Sequence, residues 1–281
     1  MWAKASIVAI VEGGNEMAER TSEQPKVALV TGAGSGIGRG VALALAAKGV
    51  RVVINYPPGE EAGAEETGRQ VGQMGGESLL VEADVSKPNA VNSMVSQVLG
   101  QWGAINILVN NAAVQPNQGL LEYRNEEFDW VIAVNVFGAV WCSQAVLEPM
   151  KRQGGGRIIH IVSVHAKRPT DFDPVYAMSK AALKMLTRES ALELGKYQIT
   201  VNAVAPGAVA IGQPKYGHLR PVVIPSYEPR RKLGPRRVNR MVLGRVGTPE
   251  DVGLVVAGLA DDANAWMTGS VIRLDGGSML G

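Results

Sequence analysis

The chain is poor in the residues that build disulfides and metal clusters. Its 281 residues include one cysteine, Cys142, and three histidines, His160, His165 and His218. A single cysteine excludes an intrachain disulfide and a cysteine-based metal cluster, and it favours a reducing, cytoplasmic setting. The histidines show neither HxH nor HExxH spacing, so we expect no zinc site and no other bound metal.

The chain also lacks a large net charge, and its N-terminal apolar run is short. The formal net charge is +2, which is too small to indicate nucleic acid or a membrane as a partner. The run ASIVAIV at residues 5–11 is too short to cross a bilayer. It follows Lys4, as in a signal peptide, but no small-residue cleavage site is evident and polar residues come next. We interpret residues 1–24 as a loosely ordered extension, and we expect neither a membrane nor a nucleic-acid partner.

Short aliphatic runs alternate with stretches of helical length from Lys26 onwards. Apolar residues make up 46% and charged residues 19% of the chain, a composition typical of a globular protein with a sizeable core. The alternation predicts an α/β fold, a doubly wound parallel sheet with helices on both faces. No break in composition divides residues 25–281, so we expect them to form one domain. The predicted strands are 26–31, 51–56, 77–85, 105–111, 156–163, 199–206 and 270–277.

Residues 212–247 depart from this pattern. They contain five prolines and cannot form one continuous helix. Between Lys215 and Arg240 there are eight Lys or Arg residues and one acid, Glu228. The segment is interpreted either as a solvated loop or subunit contact, or as a lid-like insertion that attracts an anionic substrate or a cofactor phosphate.

A glycine-rich turn, TGAGSGIGRG at residues 31–40, follows the first predicted strand and opens a helix. Glycine allows a tight turn and lets the backbone approach a pyrophosphate, while the helix directs free N–H groups and its positive dipole end at the phosphates. Glycine clusters also occur in ordinary turns, but the position between strand and helix at the start of a βαβ unit predicts nucleotide binding.

The ends of the next strands indicate how a dinucleotide would bind. The second strand ends with Asn55 and Tyr56 and has no acid before Glu60, so nothing obvious rejects a ribose 2′-phosphate. Because Ser35 and Arg39 could help to hold that phosphate, NADP(H) is the predicted cofactor, with NAD(H) or dual use as alternatives. Asp84 could reach the adenine amino group, or it could simply start a helix. The small residues of VNNAA, 109–113, would let a cofactor lie close, although Asn110 and Asn111 also suit a turn.

Tyr176 and Lys180 in the segment YAMSK are four positions apart and share one helix face. They are either an ordinary exposed pair or a phenol acidified by an ammonium group. At a separation of ~5 Å and an effective dielectric constant of ~20, the amine would favour phenolate by ~3 kcal/mol. This corresponds to a pKa lowered by roughly 2 from its usual value of ~10, which would suit a general acid and base.

The motifs together resemble those of the short-chain dehydrogenase/reductase family. The resemblance rests on the order TGAGSGIG, ADV, NNAA, VNVFG, VSV, YAMSK, APG and LDGG, with Ser163 thirteen positions before Tyr176. It extends from about Lys26 to Gly277. Within the family, SVH at 163–165 and VINY look most like the glucose 1-dehydrogenase and sugar dehydrogenase branch, and the 3-oxoacyl-carrier-protein reductase branch competes closely.

The resemblance implies a Rossmann fold, a nicotinamide cofactor, a homotetramer built largely through helix packing, and four catalytic residues. These are Asn135, Ser163, Tyr176 and Lys180. Ser163 would hydrogen-bond the substrate oxygen, and Asn135 would hold a water that links Lys180 to solvent. The residues expected to contact the cofactor are Gly32, Ser35, Gly36, Ile37, Gly38, Asn55, Tyr56, Asp84, Val85, Asn111, Ala112, Ala113, Tyr176, Lys180, Pro206, Gly207 and Val209.

Several positions depart from the family pattern and bear on the substrate. Ala113 replaces the glycine of the usual NNAG, and Ile211 stands where a threonine is common. Gln115 and Ala210 offer less charge and polarity than sugar-contacting residues, which weakens the case for glucose as the substrate. Gln115 and His165 are the substrate-contact candidates, although His165 also suits a plain surface position.

We therefore expect an NAD(P)-dependent oxidoreductase that acts on a small molecule. It would interconvert a secondary alcohol, such as a sugar or polyol, and a ketone or lactone, with Tyr176 as general acid and base. The alternative enzyme is a 3-oxoacyl-carrier-protein reductase, for which the basic segment 215–240 could attract an acidic carrier. The alternative from another class is a nucleotide-sensing or scaffold protein on the same fold.

Overall fold

The computed structural model of the chain describes residues 24–170, 173–211 and 241–280. The predicted N-terminal extension therefore lies outside the described residues, apart from Gln24. The same holds for positions 212–240 of the predicted lid-like insertion. Its last part, 241–247, returns to the sheet, where the backbone of Gly247 exchanges hydrogen bonds with Ala208 and Ala210.

A seven-stranded sheet with every strand pair parallel forms the centre of the molecule, which confirms the predicted fold class. The strand order is β3-β2-β1-β4-β5-β6-β7. Each strand falls within one of the seven predicted aliphatic runs. The five central strands are almost wholly buried, as continuous apolar sequence predicts, whereas the edge strands β3 and β7 are mostly half-buried. The strands are β1 Val27–Val30, β2 Arg51–Tyr56, β3 Ser78–Glu82, β4 Ile107–Asn110, β5 Gly156–Ile161, β6 Ile199–Pro206 and β7 Val271–Leu274.

Seven α-helices in the described part of the chain connect and cover the strands. Two of them begin with strong start signals, because Asp173 and Thr248 cap α6 and α7 and a proline follows each cap. A π-helical turn, Ala133–Phe137, joins α4 to α5. The helices are α1 Gly36–Ala46, α2 Glu61–Gln73, α3 Pro88–Trp102, α4 Asn125–Ile132, α5 Gly138–Arg152, α6 Pro174–Leu194 and α7 Pro249–Ala260.

Two apolar layers lie on opposite faces of the sheet. Successive residues of β1 alternate between them, since Val30 packs with α1 and α7 whereas Leu29 packs with α3 and α5. On the first face α1 and α7 approach closely at Gly40 and Gly253. A Cβ atom at Gly253 would lie 2.4 Å from the Gly40 oxygen, so this contact requires glycine.

The helical stretch Asn125–Arg152 is long and apolar enough, by length and composition, to cross a membrane. Core helices of globular proteins satisfy the same test, and 33% of its most apolar window is buried inside the molecule. Its second half, α5, packs against α3, β4 and β5.

The position of β1 between β2 and β4 creates a topological switch point. The chain leaves β1 towards one edge of the sheet and later crosses to the other edge through β4. In open parallel sheets, ligands bind beyond the carboxyl ends of the strands at such a point. The fold therefore predicts a ligand site among the loops that follow β1, β2, β4 and β5.

Candidate active site

The predicted site residues follow the carboxyl ends of six parallel strands, or lie in the π-helical turn before α5 and on α6, which brings them to one edge of the sheet. The glycine turn follows β1, Asn55 and Tyr56 end β2, and Asp84 and Val85 follow β3. Asn111–Ala113 follow β4, Ser163 follows β5, and 207–209 follow β6. Gly207 and Val209 are fixed by hydrogen bonds or a bridge to neighbouring backbone at Leu274 and Gly247.

Tyr176 and Lys180 lie one turn apart on α6, and the amine is buried. The Lys180 side chain is 2% exposed, which is unlike an ordinary surface pair. Its Nζ lies 5.6 Å from the centre of the Tyr176 ring and donates a 2.8 Å hydrogen bond to the Ile161 oxygen. Burial lowers the pKa of Lys180 to about 8, so at neutral pH most molecules carry the positive charge beside the ring.

Ser163 starts the 3-10 turn Val164–Ala166 directly after β5, and α6 packs against this turn. Its Oγ accepts a 3.1 Å hydrogen bond from the His165 backbone N–H. A hydroxyl has one donor and two acceptor positions, so Ser163 can still donate to a substrate oxygen. The His165 ring lies beside this turn, with Nδ1 3.3 Å from the Arg168 oxygen.

Asn135 is buried in the π-helical turn and organises the loop after β4. Its Oδ1 accepts from the Val114 N–H at 2.7 Å, and its Nδ2 donates to the Val114 oxygen and to Ser179 Oγ. Since both amide hydrogens are used, a water held by this side chain can only donate to Oδ1. The structure thus places Asn135 as a connection between the loop and α6.

The glycine turn is shaped by close contacts and by positive φ angles. Gly32 and Gly36 have φ values of 62° and 51°, which favour glycine. A Cβ atom at Gly38 would lie 2.2 Å from the Gly32 oxygen and 2.6 Å from Asn111 Nδ2. Asn111 itself supports the turn, because its Nδ2 donates to the Thr31 and Gly32 oxygens.

The start of α1 fits a dinucleotide phosphate. Within the described residues, the Ser35 side chain makes no hydrogen bond that caps the helix, so the first-turn N–H groups of α1 have no side-chain partner. They lie at the switch point, where a pyrophosphate would also meet the positive end of the helix dipole. Ile211, the residue that departs from the family pattern, approaches this turn with its Cβ 3.4 Å from the position of a Cβ at Gly36.

The end of β2 is occupied by two side chains with different surroundings. Asn55 is 1% exposed, and its amide bonds the Val81 and Ala83 oxygens and the Gly32 N–H. This side chain therefore links the ends of β2 and β3 to the glycine turn. Tyr56 is buried too, and burial together with nearby Glu61, Glu82 and Glu65 raises the pKa of its phenol.

Arg39 is held by the protein itself. Its Nη2 donates to the Gly34 and Gly63 oxygens, at 2.6 and 3.2 Å, and its Nε donates to Thr67 Oγ1. These bonds fix α2 against the glycine turn. The guanidinium group predicted to help hold a 2′-phosphate is thus engaged in tertiary structure.

Asp84 makes a local turn, since its Oδ1 accepts a 2.9 Å hydrogen bond from the Ser86 N–H. Val85 packs closely on α5, where a Cβ at Gly138 would lie 2.8 Å from Val85 Cγ2.

Gln115 lies in the loop between Val114 and Asn117, and buried side chains hold the backbone of both of these residues. Within the described residues, no group of three or more His, Cys, Asp or Glu could hold a metal ion.

Three polar residues that shape the site were missed by the sequence analysis. Thr31 Oγ1 accepts from the Asn111 and Ala112 N–H groups. His160 is buried in β5, and burial, helped by the Lys180 charge, lowers the pKa of its imidazole to about 4. Asp173 caps α6. An Asp-Pro pair before a helical run is a recognisable start signal, whereas Thr31 and His160 lie within or beside aliphatic runs that give no such signal.

A parallel doubly wound sheet, a glycine turn at its switch point and a half-buried Tyr176 beside the buried Lys180 amine define an oxidoreductase of the dinucleotide-binding class. Residues 32–279 match the family model described as enoyl-(acyl carrier protein) reductase. A short-chain dehydrogenase/reductase of Armillaria gallica is 36% identical over 262 residues, covering 93% of this chain and 98% of the relative. The chain belongs to the short-chain dehydrogenase/reductase family.

Two further relatives carry more specific names. A 3-oxoacyl-[acyl-carrier-protein] reductase of Synechocystis is 35% identical over 261 residues, covering 92% of this chain and 99% of the relative. The crystal structure of an acetoin dehydrogenase from Salmonella typhimurium superposes with a TM-score of 0.79 at 32% identity, covering 91% of this chain and 96% of that one.

Proposed function

We propose that this enzyme interconverts a secondary alcohol and the corresponding carbonyl compound by hydride transfer with a nicotinamide cofactor. The observation that carries the proposal is the buried Lys180 amine 5.6 Å from the Tyr176 ring, at the sheet edge that also holds the glycine turn. The charged amine favours the phenolate form of Tyr176, because a positive charge in a poorly solvated site stabilises a nearby negative one.

The residues divide the chemistry between them. A bound nicotinamide ring supplies the hydride to the carbonyl carbon or accepts it from the alcohol carbon. Tyr176 then gives the proton to the substrate oxygen, or takes it in the reverse direction. Ser163 donates a hydrogen bond to the same oxygen while its charge changes, and Lys180 keeps its position through the Ile161 oxygen.

A panel of alcohols and ketones, followed at the nicotinamide absorbance with both cofactors, tests this proposal. We expect turnover of at least one sugar, polyol or small hydroxyketone pair, and loss of that turnover in Tyr176→Phe. Turnover that is unchanged in this variant would exclude the tyrosine mechanism. Contacts of Gln115 and His165 with the substrate remain predictions, which alanine variants assayed with the active substrate would test.

A second candidate, 3-oxoacyl-carrier-protein reduction, is favoured by the names of relatives of 34–35% identity from Synechocystis and Staphylococcus epidermidis. Leu120 and Leu121, 68% and 99% exposed on the turn beyond the β4 loop, would offer apolar contacts to an acyl chain. The test compares turnover of the same 3-oxoacyl group attached to a carrier protein and attached to a small thiol. Faster turnover of the carrier-bound form would support this candidate. Equal turnover of both forms would show that the enzyme does not recognise the carrier.

The choice between NADP(H) and NAD(H) is a separate part of the proposal. The sequence predicts NADP(H), but two observations favour NAD(H). Arg39 is engaged by Gly34, Gly63 and Thr67, and acids surround Tyr56 at the end of β2. Dissociation constants for both cofactors, measured by nicotinamide fluorescence without substrate, decide between them. Tighter binding of NADPH would support the sequence prediction, and tighter binding of NADH would overturn it.

We also propose that the enzyme is a cytoplasmic homotetramer in which residues 25–281 form one domain. Support for helix-mediated assembly comes from Met178, Met185 and Leu192, which are 47%, 53% and 82% exposed at seven-residue spacing on α6. Phe137, the last residue of the π-helical turn, stacks on Trp141 of α5 and adds apolar surface. Light scattering of the wild type and of Met185→Glu tests this proposal, since the charge should reduce the assembled mass if α6 lies in the interface.

A further inference from the structure

The loop that carries Gln115 is fixed at both ends by buried polar side chains. Asn135 holds the N–H and the oxygen of Val114, and Asp173 Oδ2 accepts a 2.9 Å hydrogen bond from the Asn117 N–H. Asn117 has a φ of 61°, an uncommon conformation for a non-glycine residue. The segment between the two anchors is thus held in one backbone conformation.

Both anchors also reach the backbone of Tyr176. Asp173 Oδ1 accepts a 2.9 Å hydrogen bond from the Tyr176 N–H. From the other side, Asn135 Nδ2 donates to Ser179 Oγ, which in turn donates to the Tyr176 oxygen. The loop and the tyrosine are therefore parts of one hydrogen-bonded unit.

Within this unit, Asp173 is the side chain that bonds to the largest number of separate elements. It is fully buried, and its Oδ1 accepts a second hydrogen bond, 2.7 Å long, from the Tyr123 hydroxyl. Its own N–H is held by Thr170 Oγ1 at 2.8 Å. One carboxylate thus joins the start of α6, the loop after β4 and the turn that follows this loop. A buried group with three donors around it is expensive to replace, because each donor would lose its partner.

We propose that Asp173 is a positioning residue that fixes the 114–117 loop, as one wall of the substrate pocket, at a set place relative to Tyr176. This inference rests on the proposed function. Tyr176 makes the proton transfer, and Asp173 acts through the backbone of Tyr176 and Asn117 without touching the reacting atoms. The distance between the pocket wall and the proton donor then selects which substrates reach Tyr176.

The two carboxylate oxygens allow the loop contact to be removed separately. In Asp173→Asn the remaining oxygen keeps the bonds to Tyr176 and Tyr123, and asparagine is a good helix cap. The new NH₂ group faces the Asn117 N–H and cannot accept from it. We expect KM to rise by about tenfold, as for loss of a buried bond to a charged group, while kcat stays within about threefold.

Amide hydrogen exchange, measured without substrate, gives an independent reading. In Asp173→Asn, exchange should become faster in residues 114–119 and stay unchanged in the first turn of α6. Asp173→Ala, which also removes the cap, should accelerate exchange in both segments and lower kcat. The matched control is Asp261→Asn, an exposed carboxylate that caps the turn Asp262–Asn264, and it should change neither quantity.

Unchanged KM and unchanged loop exchange in Asp173→Asn would overturn the proposal. An equal loss of kcat and kcat/KM that follows a lowered melting temperature would also overturn it, because that result describes general destabilisation. If the wild-type enzyme turned over no alcohol or ketone, the proposed function would fail, while the exchange measurement would still decide whether Asp173 fixes the loop.

Discussion

Lys180 Nζ lies 5.6 Å from the centre of the Tyr176 ring, and the Ile161 oxygen accepts its hydrogen bond at 2.8 Å. The backbone oxygen comes from the end of β5, two residues before Ser163. The amine is thus oriented by the sheet, and the phenol is oriented by the helix that carries both residues. Because the β5 oxygen holds the buried amine, the separation between charge and phenol does not depend on a flexible lysine side chain in solvent.

Replacing the phenol removes the proton donor while leaving the ring. We expect Tyr176→Phe to lower kcat about a hundredfold or more, the usual contribution of a positioned general acid. Cofactor binding, measured by fluorescence, should change little. The matched control is Tyr197→Phe, on the turn before β6 at the opposite edge of the sheet, which should retain wild-type activity. Loss of cofactor binding together with activity in Tyr176→Phe would point to a structural role.

The glycine turn should not accept a methyl group at its most crowded position. A Cβ at Gly38 would overlap the Gly32 oxygen at 2.2 Å, so Gly38→Ala should destabilise the fold by about 1–3 kcal/mol, as overpacking does. It should also weaken cofactor binding. Chemical denaturation and fluorescence titration measure the two effects.

A glycine in open space gives the contrasting control. Gly100 lies within α3 and a Cβ there would meet nothing within 4 Å. Gly100→Ala should stabilise the fold by about 0.5–1 kcal/mol through the lower chain entropy of alanine, without an effect on cofactor binding. If both alanines behaved alike, crowding at Gly38 would not be the cause.

Burial of His160 predicts a loss of stability in acid. The pKa of the imidazole is about 4 in the folded protein, compared with 6.5 for an exposed histidine. Between these values the unfolded chain binds the proton and the folded protein does not, so the free energy of unfolding falls as the pH falls. His160 should contribute up to about 3 kcal/mol of this loss between pH 6.5 and pH 4.

Urea denaturation at several pH values measures this loss. His160→Gln should show a shallower decrease below pH 6.5, because glutamine does not titrate. His165→Gln, a like substitution at a half-buried position, is the matched control for the chemical change. An identical pH dependence in wild type and His160→Gln would show that other groups cause the acid sensitivity.

The single cysteine should not react in the native protein. Cys142 is fully buried on α5, and burial raises the pKa of its thiol to about 12. A thiol reagent needs the thiolate and access to it, so we expect no modified thiol under native conditions and one per chain in denaturant. Rapid native labelling would mean that α5 opens readily. Activity that survives labelling in partly denaturing conditions would confirm that the thiol has no part in the chemistry.

Local sequence was sufficient for the elements and for part of the site. The seven strands lie within the seven aliphatic runs, and the five central ones are almost wholly buried, which requires continuous apolar residues. The glycine turn was accessible from its position between a strand and a helix, and spacing placed Tyr176 and Lys180 on one helix face. Spacing alone left open whether this pair is more than an ordinary exposed one, and its predicted catalytic role came from the family resemblance.

Tertiary structure decided the partners of the buried polar side chains. Asn55 and Arg39 suggested cofactor contacts by position, yet both are engaged within the protein. Asn55 bonds backbone at the end of β3 and in the glycine turn, and Arg39 bonds the glycine turn and α2. Asp173 reaches Asn117 across 56 positions of the chain, and no local pattern encodes that distance. Spacing along the chain determines which residues share a helix face or a strand end. Which donor meets which acceptor depends on how distant segments pack, because a buried polar group must find its partner wherever the fold brings one.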